Sequence, residues 1–206
     1  MNGSAGLDQK IDARRQLQSL FATAQLGYNE FVYLDLSARN DWSSTLAYTS
    51  HEKSGFFYPS VGFSLIFNKL MTLPRWVSLA KIRGAYSMVG NDIPMFITNP
   101  SSHITAGGEF LASDAAPFKD MEPEMTHSFE AGIEARFLKN RIGLNATFYK
   151  TNTRNQFFKL PTLSGDKYAY RYVNAGDIQN VGWEISLDAV PLLTNHFKWK
   201  TEVNFS

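Results

Sequence analysis

Four histidines, one acidic stretch and a scattered set of aromatics are the side chains of this 206-residue chain that could do chemistry. His51, His103, His127 and His196 fall in separate stretches, at no spacing that would gather two of them on one metal ion, and each reads as a solvated histidine. Asp114, Asp120, Glu122 and Glu124 offer the carboxylate oxygens that calcium favours, but they lack the fixed spacing of a calcium loop, and Pro117 and Pro123 interrupt them. An ordinary solvated loop is expected there. No phosphate-cradling glycine loop, HExxH pair or G-x-S-x-G elbow occurs, so neither a cofactor nor an enzyme is expected. What remains are Trp42, Tyr48, Phe56, Tyr168, Tyr170 and Tyr172, all in or beside long polar connections. Their flat rings could stack on a sugar or a peptide side chain, or they could pack on one another to hold the loops shut. Both readings stand at this point.

The elements that must carry these aromatics are strands. Phe129, Ala131, Ile133, Ala135 and Phe137 alternate with Ser128, Glu130, Gly132, Glu134 and Arg136, the period-two pattern of a strand with one apolar face. The same alternation predicts strands over about 19–28, 31–40, 57–68, 79–89, 126–138, 141–155, 180–190 and 197–206. Most exceed the 5–6 residues common in soluble domains. Helices are nearly absent, with room for one turn in 8–18 and another in 69–78. Residues 1–18 read as a flexible lead-in, and Met1 to Gly6 lack the basic and apolar regions of a signal peptide.

The connections 29–30, 41–56, 69–78, 90–125, 139–140, 156–179 and 191–196 alternate short and long. In an up-and-down meander this puts the short turns on one edge and the long polar loops on the other, as transmembrane barrels do. A strand of about 11 residues tilted by roughly 45° spans the apolar band of such a barrel. Aromatics are 14% of the chain and gather near both strand ends, the pattern of two interfacial belts.

Composition excludes much else. With 20 Lys and Arg against 19 Asp and Glu, the formal charge of +1 gives no footing for nucleic acid. The absence of cysteine removes disulfides, thiolate metal sites and cysteine nucleophiles. The expected fold is all-β: an antiparallel up-and-down meander of about eight long strands in a transmembrane β-barrel, which the resemblance described next makes part of a larger one. Two alternatives are a self-contained eight-stranded outer-membrane barrel with a structural or adhesive role, and a soluble β-sandwich binding module.

Several stretches resemble SusC-like TonB-dependent outer-membrane transporters. They include Leu34-Asp35-Leu36-Ser37-Ala38-Arg39-Asn40-Asp41-Trp42-Ser43-Ser44-Thr45-Leu46, Tyr58-Pro59-Ser60-Val61-Gly62-Phe63-Ser64 and Val89-Gly90-Asn91-Asp92. Glu122-Pro123-Glu124-Met125-Thr126-His127-Ser128-Phe129-Glu130 and Val173-Asn174-Ala175-Gly176 followed by Gly182-Trp183-Glu184 extend it across most of the chain. The resemblance implies a barrel of about 22 strands closed around a plug in the outer membrane. It also implies TonB-energised import of a glycan or peptide nutrient and a surface lipoprotein over the loops. On that reading the chain is a middle-to-late part of the barrel, in contact with outer-membrane lipid. Carrying two open sheet edges, it is not expected to transport by itself.

Overall fold

Ten strands build one sheet and one small hairpin in a computed structural model that describes residues 14–53, 55–105, 107–119 and 121–206. They are β1 (Leu17–Tyr28), β2 (Val32–Ser43), β3 (Phe56–Ile66), β4 (Val77–Asn91), β5 (His103–Ile104), β6 (Phe110–Leu111), β7 (Glu124–Phe137), β8 (Ile142–Pro161), β9 (Tyr170–Leu193) and β10 (Lys198–Phe205). Eight of them form an antiparallel meander in the order β1-β2-β3-β4-β7-β8-β9-β10, while β5 and β6 pair within the connection between β4 and β7. A four-residue helix, α1 (Phe67–Leu70), sits between β3 and β4, and a single 3-10 turn, Ser44–Leu46, follows β2.

Register keeps one apolar face continuous across the sheet. Leu36 pairs with Val61, Val61 with Tyr86 and Tyr86 with Phe129; one level away, Ala131 pairs with Phe148 and Phe148 with Trp183. The rings of Phe148 and Trp183 lie 5.2 Å apart, so adjacent strands are joined by cross-strand aromatic contacts. Among the described residues nothing covers this face: Phe129 is 46% exposed and Trp183 57%. A sandwich would bury such rows beneath a second sheet, and among the described residues no second sheet lies against them. The soluble sandwich is therefore set aside. So is the self-contained eight-stranded barrel, because β1 and β10 are the two outer strands of the sheet and do not pair with each other. No helix among the described residues is long and apolar enough to cross a membrane.

Tight turns close the trimmed edge. Asn29 and Glu30 have φ values of 46° and 57°, the left-handed pair that matches strand twist in a short hairpin. Leu138, Lys139 and Asn140 are likewise left-handed between β7 and β8, where the Arg141 N–H donates to the Phe137 carbonyl at 3.0 Å.

The buried hydrophobic residues lie at the other edge. Leu46, Phe56, Ile93, Ile97 and Met121 cluster there, with Tyr58, Phe118, Phe157 and Tyr172 packed against them. This inverts a globular protein, where the sheet buries its apolar face and the loops stay wet.

Three expectations need correction. The connection expected over 156–179 is mostly strand, since β8 runs to Pro161 and β9 starts at Tyr170. Beyond the apolar band both faces of a strand meet water, so hydrophobic alternation fades while the backbone ladder continues. The lead-in expected over 1–18 overlaps β1 at Leu17 and Gln18, and residues 1–13 lie outside the described residues, as does Asp120. The turn expected in 69–78 lies earlier, at Phe67–Leu70.

Candidate functional site

The long-connection end of the sheet is a built structure, and Asp92 is its hub. Its carboxylate accepts hydrogen bonds from the Ser43 hydroxyl at 2.7 Å, the Ile93 N–H at 2.8 Å, the Thr45 hydroxyl and the Arg15 guanidinium. Burial alone would raise the pKa of this acid; the hydrogen bonds from Thr45, Ser43, Ile93 and Arg15 outweigh it and hold the group below its ordinary value. The Gln16 N–H donates to the Ser44 hydroxyl at 2.9 Å, and the Thr98 hydroxyl donates to the Thr45 carbonyl at 3.2 Å. Four parts of the chain thus meet at one acid: the approach to β1, the end of β2, the end of β4 and the loop after it. Sequence reasoning missed this hub. Its parts, Ser43-Ser44-Thr45 and Asn91-Asp92, lie 49 residues apart from Ser43 to Asp92 and carry no joint spacing signal.

Beside the hub, Asp41 accepts from Arg39 Nε at 2.8 Å and from the Tyr58 hydroxyl, which fixes the polar side of the loop core. The acidic stretch is divided among different partners. Glu122 accepts from the Asn155 side chain at 2.8 Å and Glu124 from Asn91 at 3.2 Å, while the carbonyl of Asp114 accepts the Ala169 N–H at 2.9 Å. Asn174 clamps Glu122 from both sides, accepting its N–H at 2.7 Å and donating to its carbonyl at 2.8 Å. Among the described residues no group of three or more His, Asp or Glu side chains converges as metal ligands do.

The six aromatics divide by burial. Phe56 is 3% exposed and belongs to the loop core, so it shapes the surface from beneath and presents no ring to a ligand. Tyr172 packs against that core, edge-on to Phe157 at 6.3 Å and to Tyr170 at 5.8 Å. Lys159 Nζ sits 3.5 Å from the centre of the Tyr170 ring. Tyr168 is half-buried, held at the tip of the β8–β9 hairpin where the Thr162 hydroxyl donates to its carbonyl. At the end of β2 the Trp42 indole donates to the Lys53 carbonyl at 3.1 Å, and on the loop after it Tyr48 stands 68% exposed with φ 69°. Two groups result: Tyr168, Tyr170 and Tyr172 along the β8–β9 hairpin, and Trp42 at the end of β2 with Tyr48 on the loop after it. Phe56 and Tyr172 meet in the core between them.

The polar face leading away from these loops is lined by charges and by glycines set beneath large side chains. Arg83 crosses β7 at Gly132 and donates to the Thr147 hydroxyl at 2.7 Å and to Asn145 at 3.3 Å. Lys81 lies directly opposite Glu134, and Tyr149 lies over Gly182. A bare apolar face, a wet polar face and a packed crown of loops at one edge are together the anatomy of an outer-membrane barrel wall.

Known proteins share this fold. The chain is 25% identical over 199 residues to TonB-dependent receptor P39 of Formosa agariphila, covering 92% of this chain and 19% of that protein. It is 24% identical over 218 residues to TonB-dependent receptor SusC of Bacteroides thetaiotaomicron, covering 95% of this chain and 22% of that one. The chain thus spans about a fifth of the length of the curated relatives it matches. Among solved structures, the RagAB peptide importer in its "open-open" state superposes with a TM-score of 0.80 at 22% identity, over 92% of this chain and 21% of that one. The siderophore receptor PirA from Pseudomonas aeruginosa gives a TM-score of 0.60 at 16% identity, over 93% of this chain and 34% of that one. The profile of the family described as TonB dependent receptor-like, beta-barrel matches residues 2–206, and the chain belongs to that family of outer-membrane barrels.

Proposed function

We propose that this chain supplies wall and outer-surface loops to a TonB-dependent, SusC-like transporter that imports a glycan or peptide nutrient across the outer membrane. The observation that carries the proposal is the loop crown: a hydrogen-bonded hub at Asp92 and a packed apolar core hold aromatic rings at the mouth of a polar wall. The similarity to SusC and to the RagAB peptide importer supports the substrate class.

In this account the substrate is met at the surface by Trp42, Tyr48, Tyr168, Tyr170 and Tyr172, whose rings offer stacking faces to sugar rings or peptide side chains. Phe56 sets their height from within the core. A surface lipoprotein covers the loops, and TonB drives rearrangement of a plug that would otherwise fill the lumen. The polar face, with charges of both signs, provides the wet path. No bond is made or broken by this chain.

The test is transport by the outer-membrane protein that carries the chain. A strain lacking it is grown on panels of oligosaccharides and of peptides as sole nutrient, and complemented with wild type or with Tyr48→Ala/Tyr170→Ala. Loss of growth on one panel, restored by wild type and slowed by the double variant, is the expected result. Unchanged growth on both panels would contradict the proposal.

A further inference from the structure

At the short-turn end of the sheet, on its apolar side, a groove of about 870 Å³ runs between the β7–β8 turn and the end of β9. Ile142 and Ala189, directly paired across β8 and β9, are on its lining, and both belong to the apolar face. Trp76 and Leu138 form one wall. The Trp76 ring stacks on Phe137 at 5.6 Å, and the Leu138 N–H donates to the Trp76 carbonyl at 2.8 Å, so this wall is fixed.

Three cations, Arg75, Lys139 and Arg141, line the same groove, and among the described residues no acidic side chain does. Arg141 is held in place: its Nε donates to the Val190 carbonyl at 3.1 Å and its Nη2 to the Pro191 carbonyl at 2.6 Å. Both acceptors are neutral, no ion pair to Arg141 forms among the described residues, and a guanidinium has five N–H donors in all. The Glu30 carboxylate on a neighbouring turn is paired with Lys69 at 2.6 Å.

The two halves of this groove want different things. A soluble anion has no use for its apolar lining, and an uncharged acyl chain has no use for three cations. An amphiphile satisfies both. The groove also stands at strand ends bearing an interfacial tryptophan, where a lipid headgroup meets the protein. We propose that it holds one anionic phospholipid of the inner leaflet, with its phosphate on Arg75, Lys139 and Arg141 and one acyl chain along Ile142 and Ala189. The proposal rests on the sheet's place in the outer membrane and not on the transported substrate, so its failure would leave the transport reading untouched.

The experiment is native mass spectrometry of the full outer-membrane protein that carries this chain, released from mild detergent. It is titrated with phosphatidylglycerol, with phosphatidylcholine of the same acyl chains, and with glycerol 3-phosphate. One phosphatidylglycerol adduct is expected at low lipid, with an affinity about fivefold weaker for each cation removed in R75Q/K139Q. K53Q, which removes one cation on an outer loop as K139Q does at the groove, leaves it unaltered. Equal binding of phosphatidylcholine would reduce the groove to an apolar cleft, and full competition by glycerol 3-phosphate would make it a soluble-anion site; either result overturns the proposal. So does an undiminished adduct in R75Q/K139Q. If that variant loses its folded, heat-modifiable band, K139Q alone takes its place, with an expected loss of about fivefold.

Discussion

Arg83 lies across Gly132: a Cβ at that glycine would stand 2.9 Å from Arg83 Nε, 3.1 Å from the Ala146 carbonyl oxygen and 3.2 Å from the Thr147 hydroxyl. The absent side chain is what lets a β4 cation reach over β7 to acceptors on β8, at 2.7 Å for Thr147. Gly132→Ala is therefore expected to displace the guanidinium and to destabilise the barrel by about 1–2 kcal/mol, the scale of one hydrogen bond to a charged group. Arg83→Ala should cost a similar amount, and the double variant little more than either alone. Urea midpoints of the folded protein in bilayers measure all three, and additive costs would mean that the two residues do not act as a unit.

Tyr149 and Gly182 repeat the device on the next pair of strands, since a Cβ at Gly182 would lie 2.5 Å from the Tyr149 hydroxyl oxygen. Gly182→Ala pushes the ring off the wall. Tyr149→Ala in the same protein should recover most of the lost stability, and its failure to do so would locate the cost in the β9 backbone instead.

The Asp92 hub predicts a pH dependence of known sign. Its folded pKa is depressed, so its contribution is present above the unfolded value near 4 and is lost as pH falls through the lower folded value. Hydrogen exchange at the Ile93 and Thr45 amides should report looser loops below about pH 4. Asp92→Asn should loosen them by about 2 kcal/mol at neutral pH and abolish the acid-dependent change. An acid transition that survives in Asp92→Asn would assign it to another group.

Burial separates two kinds of loop aromatic. Phe56→Ala opens the loop core and is expected to cost about 3 kcal/mol of local stability, because a buried ring is replaced by a void. Tyr48→Ala removes an exposed ring and should leave stability within about 0.5 kcal/mol. Ligand affinity should respond in the opposite order to stability for Tyr48, by three- to tenfold for one stacking contact. Proteolysis of the outer loops and equilibrium binding together read out both effects.

How much of this was legible in the sequence depended on which medium each segment meets. β7 was readable because one face meets hydrocarbon and the other water, and Phe129 to Phe137 alternate accordingly; the strand observed is Glu124–Phe137. The outer parts of β8 and β9 were not, since both faces there are wet, and Gln156, Phe157, Phe158 and Lys159 on β8 and Gly176, Asp177, Ile178 and Gln179 on β9 follow no apolar period. Asn155 and Gly176, with φ values of 59° and 86°, lie between the pairs Arg154–Asp177 and Gln156–Ala175, a local break that also reads as a loop. The aromatics could be named from composition, but the division between buried Phe56 and exposed Tyr48 could not, since it depends on Leu46, Ile93, Ile97 and Met121 arriving from distant connections. The Asp92 hub was hidden for the same reason.

The central claim, that one face of this sheet meets lipid and the other a wet lumen, is tested most directly along β7. The chain has no cysteine, so a spin label can be placed at each position from Ser128 to Arg136 in turn. With the outer-membrane protein that carries the chain in bilayers, collision with oxygen, which partitions into lipid, should peak at Phe129, Ala131, Ile133 and Ala135. Collision with a water-soluble nickel complex should peak at Ser128, Glu130, Gly132, Glu134 and Arg136. Equal access of the water-soluble reagent to both sets would contradict the account.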